Sequence, residues 1–166
     1  MRAVVAAVAT GSLLLSGCTM TGDRQPLPDL ALPEVDGDKT VGLRSLEGPM
    51  LVNLWASWCT SCRHEMPLLE QFHQKHGDEV AVVGIDFQET NLGSAEDLVA
   101  ETGVTYRLLL DEVGDLNGAE PLPHVQALPI QVYVDEDGEV AYIAYQAFES
   151  VDEIEASVNE HLGTDL

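Results

Sequence analysis

The stretch LVNLWASWCTSC, Leu51 to Cys62, limits the possible fold more than any other part of this chain. Its first half is a continuous apolar run of strand length, the pattern of a strand covered on both faces. Its second half sets Cys59 and Cys62 in a C-x-x-C pair, ahead of a segment where Met66, Leu69 and Phe72 return at helical spacing. A strand that hands over to a helix at this pair puts the sulfurs at the helix N-terminus. Unpaired N–H groups and the positive end of the helix dipole favour a thiolate there. Only the thiolate attacks a disulfide. A ring this small constrains little of the unfolded chain, so the pair is placed for chemistry rather than for stability. Cys59, at the junction, is expected to be the exposed nucleophile. Cys62, one turn inside, is expected to be the buried resolving thiol. Trp58 supplies a flat apolar wall where a partner peptide docks.

The third cysteine reads differently. MRAVVAAVATGSLLLSGC carries one positive residue, Arg2, then an apolar stretch too short to span a bilayer comfortably. It ends with Ser16 and Gly17 directly before Cys18, which resembles a bacterial lipobox. That resemblance implies removal of residues 1–17 and lipidation of Cys18, with 18–27 as a short polar tether and 28–166 as the folded domain. Ordinary secretory cleavage with a spare thiol is the other reading. Either route leads outside the cytoplasm, where disulfides persist.

The chain has 166 residues, 45% of them hydrophobic, enough for one domain with a real core. Its formal net charge of -22 repels nucleic acid and anionic lipid, so no nucleic-acid partner is expected, and the membrane is reached through the lipid alone.

Along the domain, LPDLALPEVDGDKTVGL reads as two short strands around a turn. Pro67 is expected to kink the helix after the cysteines, and Gly77 to end it. EVAVVGIDF is a second buried strand. SAED, Ser94 to Asp97, opens a helix as a capping box, and YRLLLD is a shorter strand. DEVGDLNGAEPLPHVQA holds a possible helical turn. PIQVYVD and EVAYIAY form a hairpin around DEDG. SVDE, Ser150 to Glu153, caps a last helix whose apolar face is Ile154, Val158 and Leu162. This order predicts a mixed sheet with helices on both faces.

C-x-x-C pairs also bind metals. Structural zinc wants four ligands, but there is no second pair, and His64 and His124 lack ligand spacing. Copper needs only two thiolates and a histidine, and stays open. Redox chemistry fits the placement better, with no metal and no cofactor.

LVNLWASWCTSCRHEMP resembles the active-site segment of the TlpA/ResA-like thiol–disulfide oxidoreductases of the thioredoxin superfamily. The similarity runs from about Pro28 to Leu162 and includes VVGIDFQE, the LPI of Leu128 to Ile130, and the final hairpin and helix. It implies a thioredoxin-like α/β fold: a central mixed sheet flanked by helices, with an N-terminal β-hairpin extension. It also implies a cis bond before Pro129, which exposes the backbone of Leu128 beside the thiols for an extended substrate. Glu65 matches a partly buried family glutamate near the disulfide, with a pKa raised towards neutrality for moving a proton. Thioredoxins themselves place a buried aspartate where this chain has Asn53, which cannot titrate, so the acid–base role shifts to Glu65. Thr60-Ser61 and Leu128 depart from the commoner family residues. The resemblance implies protein thiol and disulfide substrates, apocytochrome c thiols as one class, and a membrane electron donor that recharges the pair. A thiol peroxidase and a copper-handling lipoprotein are the alternatives. The first wants a Thr-x-x-Cys motif with a nearby arginine, for which the chain offers only WCTSC and Arg63.

Overall fold

The computed structural model describes residues 24–35, 37 and 39–166. The expected signal peptide, Cys18 and the first part of the tether lie outside the described residues. In chain order the elements are strands β1 Ala31–Pro33 and β2 Thr40–Gly42, a 3-10 turn Leu43–Ser45, strand β3 Met50–Trp55, helix α1 Thr60–His76, strand β4 Ala81–Phe87, helix α2 Leu92–Thr102, strands β5 Arg107–Asp111, β6 Ile130–Val134 and β7 Val140–Ala144, and helix α3 Val151–Leu162. β1 and β2 form the expected antiparallel N-terminal hairpin, with Leu32 opposite Val41. The other strands form one sheet in the order β5-β4-β3-β6-β7. β3 runs parallel to β4, β4 parallel to β5, and β6 and β7 complete the sheet antiparallel.

β3 is the central strand, and all six of its residues are buried. Its side chains alternate between faces. Leu51 and Trp55 join one core with Met66, Leu69 and Phe72 of α1, Ala95 and Leu98 of α2, and Ile154 and Val158 of α3. Met50, Val52 and Leu54 join the other, which is closed by Leu27, Leu32, Leu43, Leu116 and Leu122 and by no residue of the three helices. Helices on both faces were expected; all three pack on one. The connections β3-α1-β4 and β4-α2-β5 step in the same direction across the sheet, and right-handed crossovers then place both helices on the same side. The opposite face is covered by the N-terminal segment and by residues 112–127. The latter stretch forms turns and no helix. Gly114 and Gly118 both sit at φ 78°, which interrupts any helical run.

Helix boundaries follow local chemistry. Ser150 Oγ accepts from Glu153 N–H at 3.3 Å, while the Glu153 carboxylate accepts from Glu149 N–H at 2.8 Å, so the expected cap of α3 is present. The expected box at Ser94 is not. α2 begins at Leu92 with Asn91 as N-cap and no side-chain cap, which places Ser94 inside the first turn. Here Glu89, upstream of the helix, takes the Asn91 N–H at 2.8 Å and draws the helix start forward. α1 continues through Pro67 and ends at Gly77, whose N–H donates to His73 O at 2.8 Å.

Gly84 on β4 has no room for a side chain. A Cβ there would lie 2.6 Å from Leu108 Cδ2 and 3.1 Å from both Trp55 Nε1 and Tyr106 Cε2. The two rings are buried and cannot turn aside. Gly84→Ala is therefore expected to destabilise the fold by about 1–3 kcal/mol through overpacking beneath Trp55. Urea unfolding of the two proteins measures it, and an unchanged midpoint contradicts the packing account.

Candidate active site

The turn after β3 delivers the two cysteines. Cys59 N–H donates to Ala56 O at 3.1 Å, closing a four-residue turn, and Cys59 becomes the N-cap of α1. Cys62, in the first turn, donates its N–H to Cys59 Sγ at 3.2 Å. The sulfurs are joined, with S–S 2.07 Å and Cα–Cα 5.3 Å. One orphan N–H of the helix thus already points at Cys59 Sγ, where it stabilises a thiolate once the bond opens. Ser61 Oγ lies 3.5 Å from the same sulfur. Cys59 is more accessible than Cys62, as expected, but only by a little: 6% against 0%. The cysteine expected to be exposed is a largely buried residue, because the turn that carries it packs against the core. Trp58 is the exposed part of the motif, at 57%.

Glu65, one turn beyond Cys62, is fully buried. Oε1 accepts from Asn53 Nδ2 on β3 at 2.7 Å and from Gln131 Nε2 on β6 at 3.2 Å. Oε2 accepts from the same Gln131 nitrogen at 3.2 Å and from Phe148 N–H at 3.2 Å. Burial pushes Glu65 up from 4.5 to about 7, against the opposing pull of the Phe148, Asn53 and Gln131 hydrogen bonds. Its oxygens are engaged by these donors, and neither sulfur is among its hydrogen-bond partners.

The bond Leu128–Pro129 is cis, as the resemblance implied. Pro129 is buried, Leu128 half-buried, and β6 starts at the next residue, opposite Leu54 near the end of β3. The cis-proline segment and the thiol turn therefore leave the same end of the sheet. His64 and His124 are exposed. The backbone oxygen of His124 accepts from Tyr145 Oη at 2.9 Å. Arg63 turns to Glu101 on α2, at 2.9 Å. Two cavities of about 510 and 410 Å³ are lined by no residue of the Trp55–Glu65 segment.

Sequence reasoning missed Gln131 and the Phe148 N–H as partners of Glu65. A single glutamine inside the apolar strand IQVYV was the available signal, since a buried amide in a central strand needs a polar partner. The Phe148 N–H left no signal, because any residue has one.

The AhpC/TSA family model matches residues 24–143. The chain belongs to the AhpC/TSA family. It is 42% identical over 94 residues to a thiol:disulfide interchange protein DsbE of Pseudomonas fluorescens biotype C, covering 55% of this chain and 51% of that one. It is 26% identical over 115 residues to a thiol-disulfide oxidoreductase ResA of Bacillus thuringiensis strain Al Hakam, covering 68% and 64%. The crystal structure of a thiol:disulfide interchange protein from Chlorobium tepidum TLS, a thioredoxin family protein, superposes with TM-score 0.70 at 25% identity, covering 84% of this chain and 97% of that one. The fold is thioredoxin-like. The matched stretch spans 51% to 66% of the length of these two curated relatives and of a thioredoxin-like protein YneN of Bacillus subtilis strain 168, to which the chain is 33% identical over 115 residues, 69% of its own length.

The pKa of Glu65 has a consequence for stability. Below 4.5 its carboxyl is protonated in both folded and unfolded chains. Between 4.5 and about 7 the unfolded carboxyl ionises while the folded one keeps its proton, so rising pH favours unfolding. Stability from this group is fully present below 4.5 and lost as pH rises through 7, a change on the order of 3 kcal/mol. Asp86, pushed up to about 7 by burial and then by the charge of Glu89, acts in the same direction. Glu65→Gln is expected to flatten this fall. Urea unfolding of the oxidised proteins at several pH values across the window tests it, and parallel slopes for both proteins contradict it.

Proposed function

We propose that this chain is a lipid-anchored, extracytoplasmic thiol–disulfide oxidoreductase that reduces disulfides of exported proteins. The observation that carries the reading is the Cys59–Cys62 disulfide at the N-terminus of α1, at the same end of the sheet as a cis-proline segment and one turn from a buried carboxyl. The names of the DsbE and ResA relatives support it. In the reduced protein, Cys59 as thiolate attacks one sulfur of a substrate disulfide. A Cys59–substrate disulfide forms and the first substrate sulfur leaves, taking a proton. Cys62 then gives its proton to Glu65, directly or through one water, and its sulfur attacks Cys59 Sγ. The second substrate sulfur leaves as a thiol and the Cys59–Cys62 bond is restored. A carboxyl that titrates near 7 both accepts and returns a proton at neutral pH.

Trp58, Leu128 and Pro129 are read as the surface that meets the substrate, with Leu128 backbone pairing an extended segment. Apocytochrome c thiols are one substrate class, and a membrane protein is the electron donor that recharges the pair. Cys18 carries the lipid, and residues 18–27 tether the domain. A thiol peroxidase is disfavoured: no Thr-x-x-Cys precedes the helix, and Arg63 is engaged by Glu101.

Three experiments test this reading. In the reduced protein Cys59 is expected to alkylate well ahead of Cys62, and Cys62→Ser to accumulate mixed disulfides that non-reducing electrophoresis detects. If Cys62 reacts first, the roles are reversed; if neither cysteine supports disulfide reduction, the activity is wrong. For the anchor, Cys18→Ala is expected to move the protein from the membrane to the soluble fraction with its thiol chemistry intact. Full membrane retention of that variant rules out lipidation at Cys18.

A further inference from the structure

β4 ends at Phe87, and the next residue, Gln88, has φ 50°. This left-handed conformation is uncommon and costly for a residue other than glycine, and it persists only where the surroundings impose it. Here Gln88 N–H donates to Asp111 O at 2.9 Å, fixing the turn to the end of β5. The turn sends Glu89 back over the end of β3 instead of out to solvent. Its side chain is almost wholly buried, at 5% exposure. Oε2 accepts from Ser57 N–H at 2.9 Å, and Oε1 accepts from Asn91 N–H, the N-cap of α2, at 2.8 Å.

Ser57 is the second residue of the turn that Cys59 closes onto Ala56. Trp58 is the third. A carboxylate fixed to Ser57 therefore fixes how Trp58 and Cys59 are presented. Burial pushes the pKa of Glu89 up, but the hydrogen bonds from Ser57, Asn91 and Thr90 outweigh it and hold the group below its ordinary value. Asp86, three residues earlier, is fully buried, and neither of its oxygens has a partner among the described residues. Burial and then the charge of Glu89 push Asp86 up to about 7, whereas Glu89 is held below its ordinary value, so Glu89 is the member of the pair that ionises first, and its charge sits on the backbone of the thiol turn.

We propose that Glu89 is a positioning residue for the active-site turn: it ties the turn bearing Trp58 and Cys59 to the start of α2 and sets the geometry in which the thiol meets a substrate disulfide. The role rests on the thiol–disulfide reading above. It concerns neither of the sulfurs nor Glu65, and it requires the left-handed turn at Gln88.

The test compares full-length wild type with Glu89→Ala and Glu89→Gln. The probe is a synthetic peptide with one intramolecular disulfide. Glu89→Ala frees the turn and is expected to raise KM for the peptide about tenfold. Gln keeps one acceptor oxygen, for Ser57 N–H, but loses the acceptor for Asn91 N–H, and is expected to restore part of the KM loss, to about threefold above wild type. Because Gln also removes a nearby negative charge, the apparent pKa of Cys59, read from alkylation rate against pH, is expected to fall by about half a unit. Equal KM in Glu89→Gln and Glu89→Ala, or alkylation profiles of all three proteins that superimpose, overturns the proposal. If Glu89→Ala does not fold, amide exchange decides: Ser57 N–H is expected to be protected in wild type and in Glu89→Gln, and free exchange in wild type overturns the proposal. Alkylation and amide exchange need no turnover. A wild type that reduces no disulfide, together with a Cys59 alkylation profile still shifted in Glu89→Gln, tells against the activity and not against the positioning role.

Discussion

One buried carboxyl joins the parts of this protein that must stay in register for the thiols to work. Glu65 sits on α1 a turn past Cys62, and its partners come from three other places: Asn53 on β3, Gln131 on β6 and Phe148 just ahead of α3. An unpaired carboxyl at this depth would cost several kcal/mol or abandon its charge. Four donor contacts reduce that cost without removing it, which is why the group still titrates near neutrality. The same contacts fix the rotation of α1 about its axis. That rotation decides that Cys62 faces the core, with Cys59 at the end of the helix.

The thiols are governed by a second balance. The N-terminus of α1 and the Cys62 N–H stabilise negative charge on Cys59. The chain as a whole is strongly acidic, and the fixed anion of Glu89 lies two backbone positions from Cys59 by way of Ser57. One set of groups lowers the thiol pKa and the other raises it. The helix contribution acts at contact distance, whereas the diffuse surface charge is screened within about 8–10 Å at ordinary ionic strength. The local groups therefore dominate at Cys59, the proposed nucleophile, and the net charge acts mainly on how partners approach.

Much of this was legible in the sequence because it is local. The apolar run into C-x-x-C gave the strand, the junction and the helix. The hairpin around DEDG and the cap at Ser150 followed from turn and capping chemistry. The side of the sheet on which α2 lies was not legible, because it depends on the order β5-β4-β3, a long-range fact with no local signature. The start of α2 was misplaced at Ser94 because a carboxylate at Glu89 satisfies the Asn91 N–H from outside the helix. Residues 112–127, read as holding a possible helical turn, form turns only, with two glycines at positive φ and Leu116 and Leu122 packed on the far face. Glu65 was found through the resemblance, but its burial partners were not, since Gln131 is 66 residues away in sequence.

Asn53 brings these threads together. On the central strand, an aspartate at this position would lie within hydrogen-bond reach of Glu65, and two carboxyls so close cannot both ionise. One would hold a shared proton tightly, and the titration would belong to the pair. Asparagine avoids this by offering Nδ2–H, at 2.7 Å from Glu65 Oε1, to the ionised form of a single acid. It opposes the effect of burial and brings the pKa of Glu65 back towards the working range instead of far above it. The neutral strand residue and the acid on the helix are thus one device. The acid proposed to handle the proton rides on the same helix as Cys62, and the sheet contributes donors that tune it.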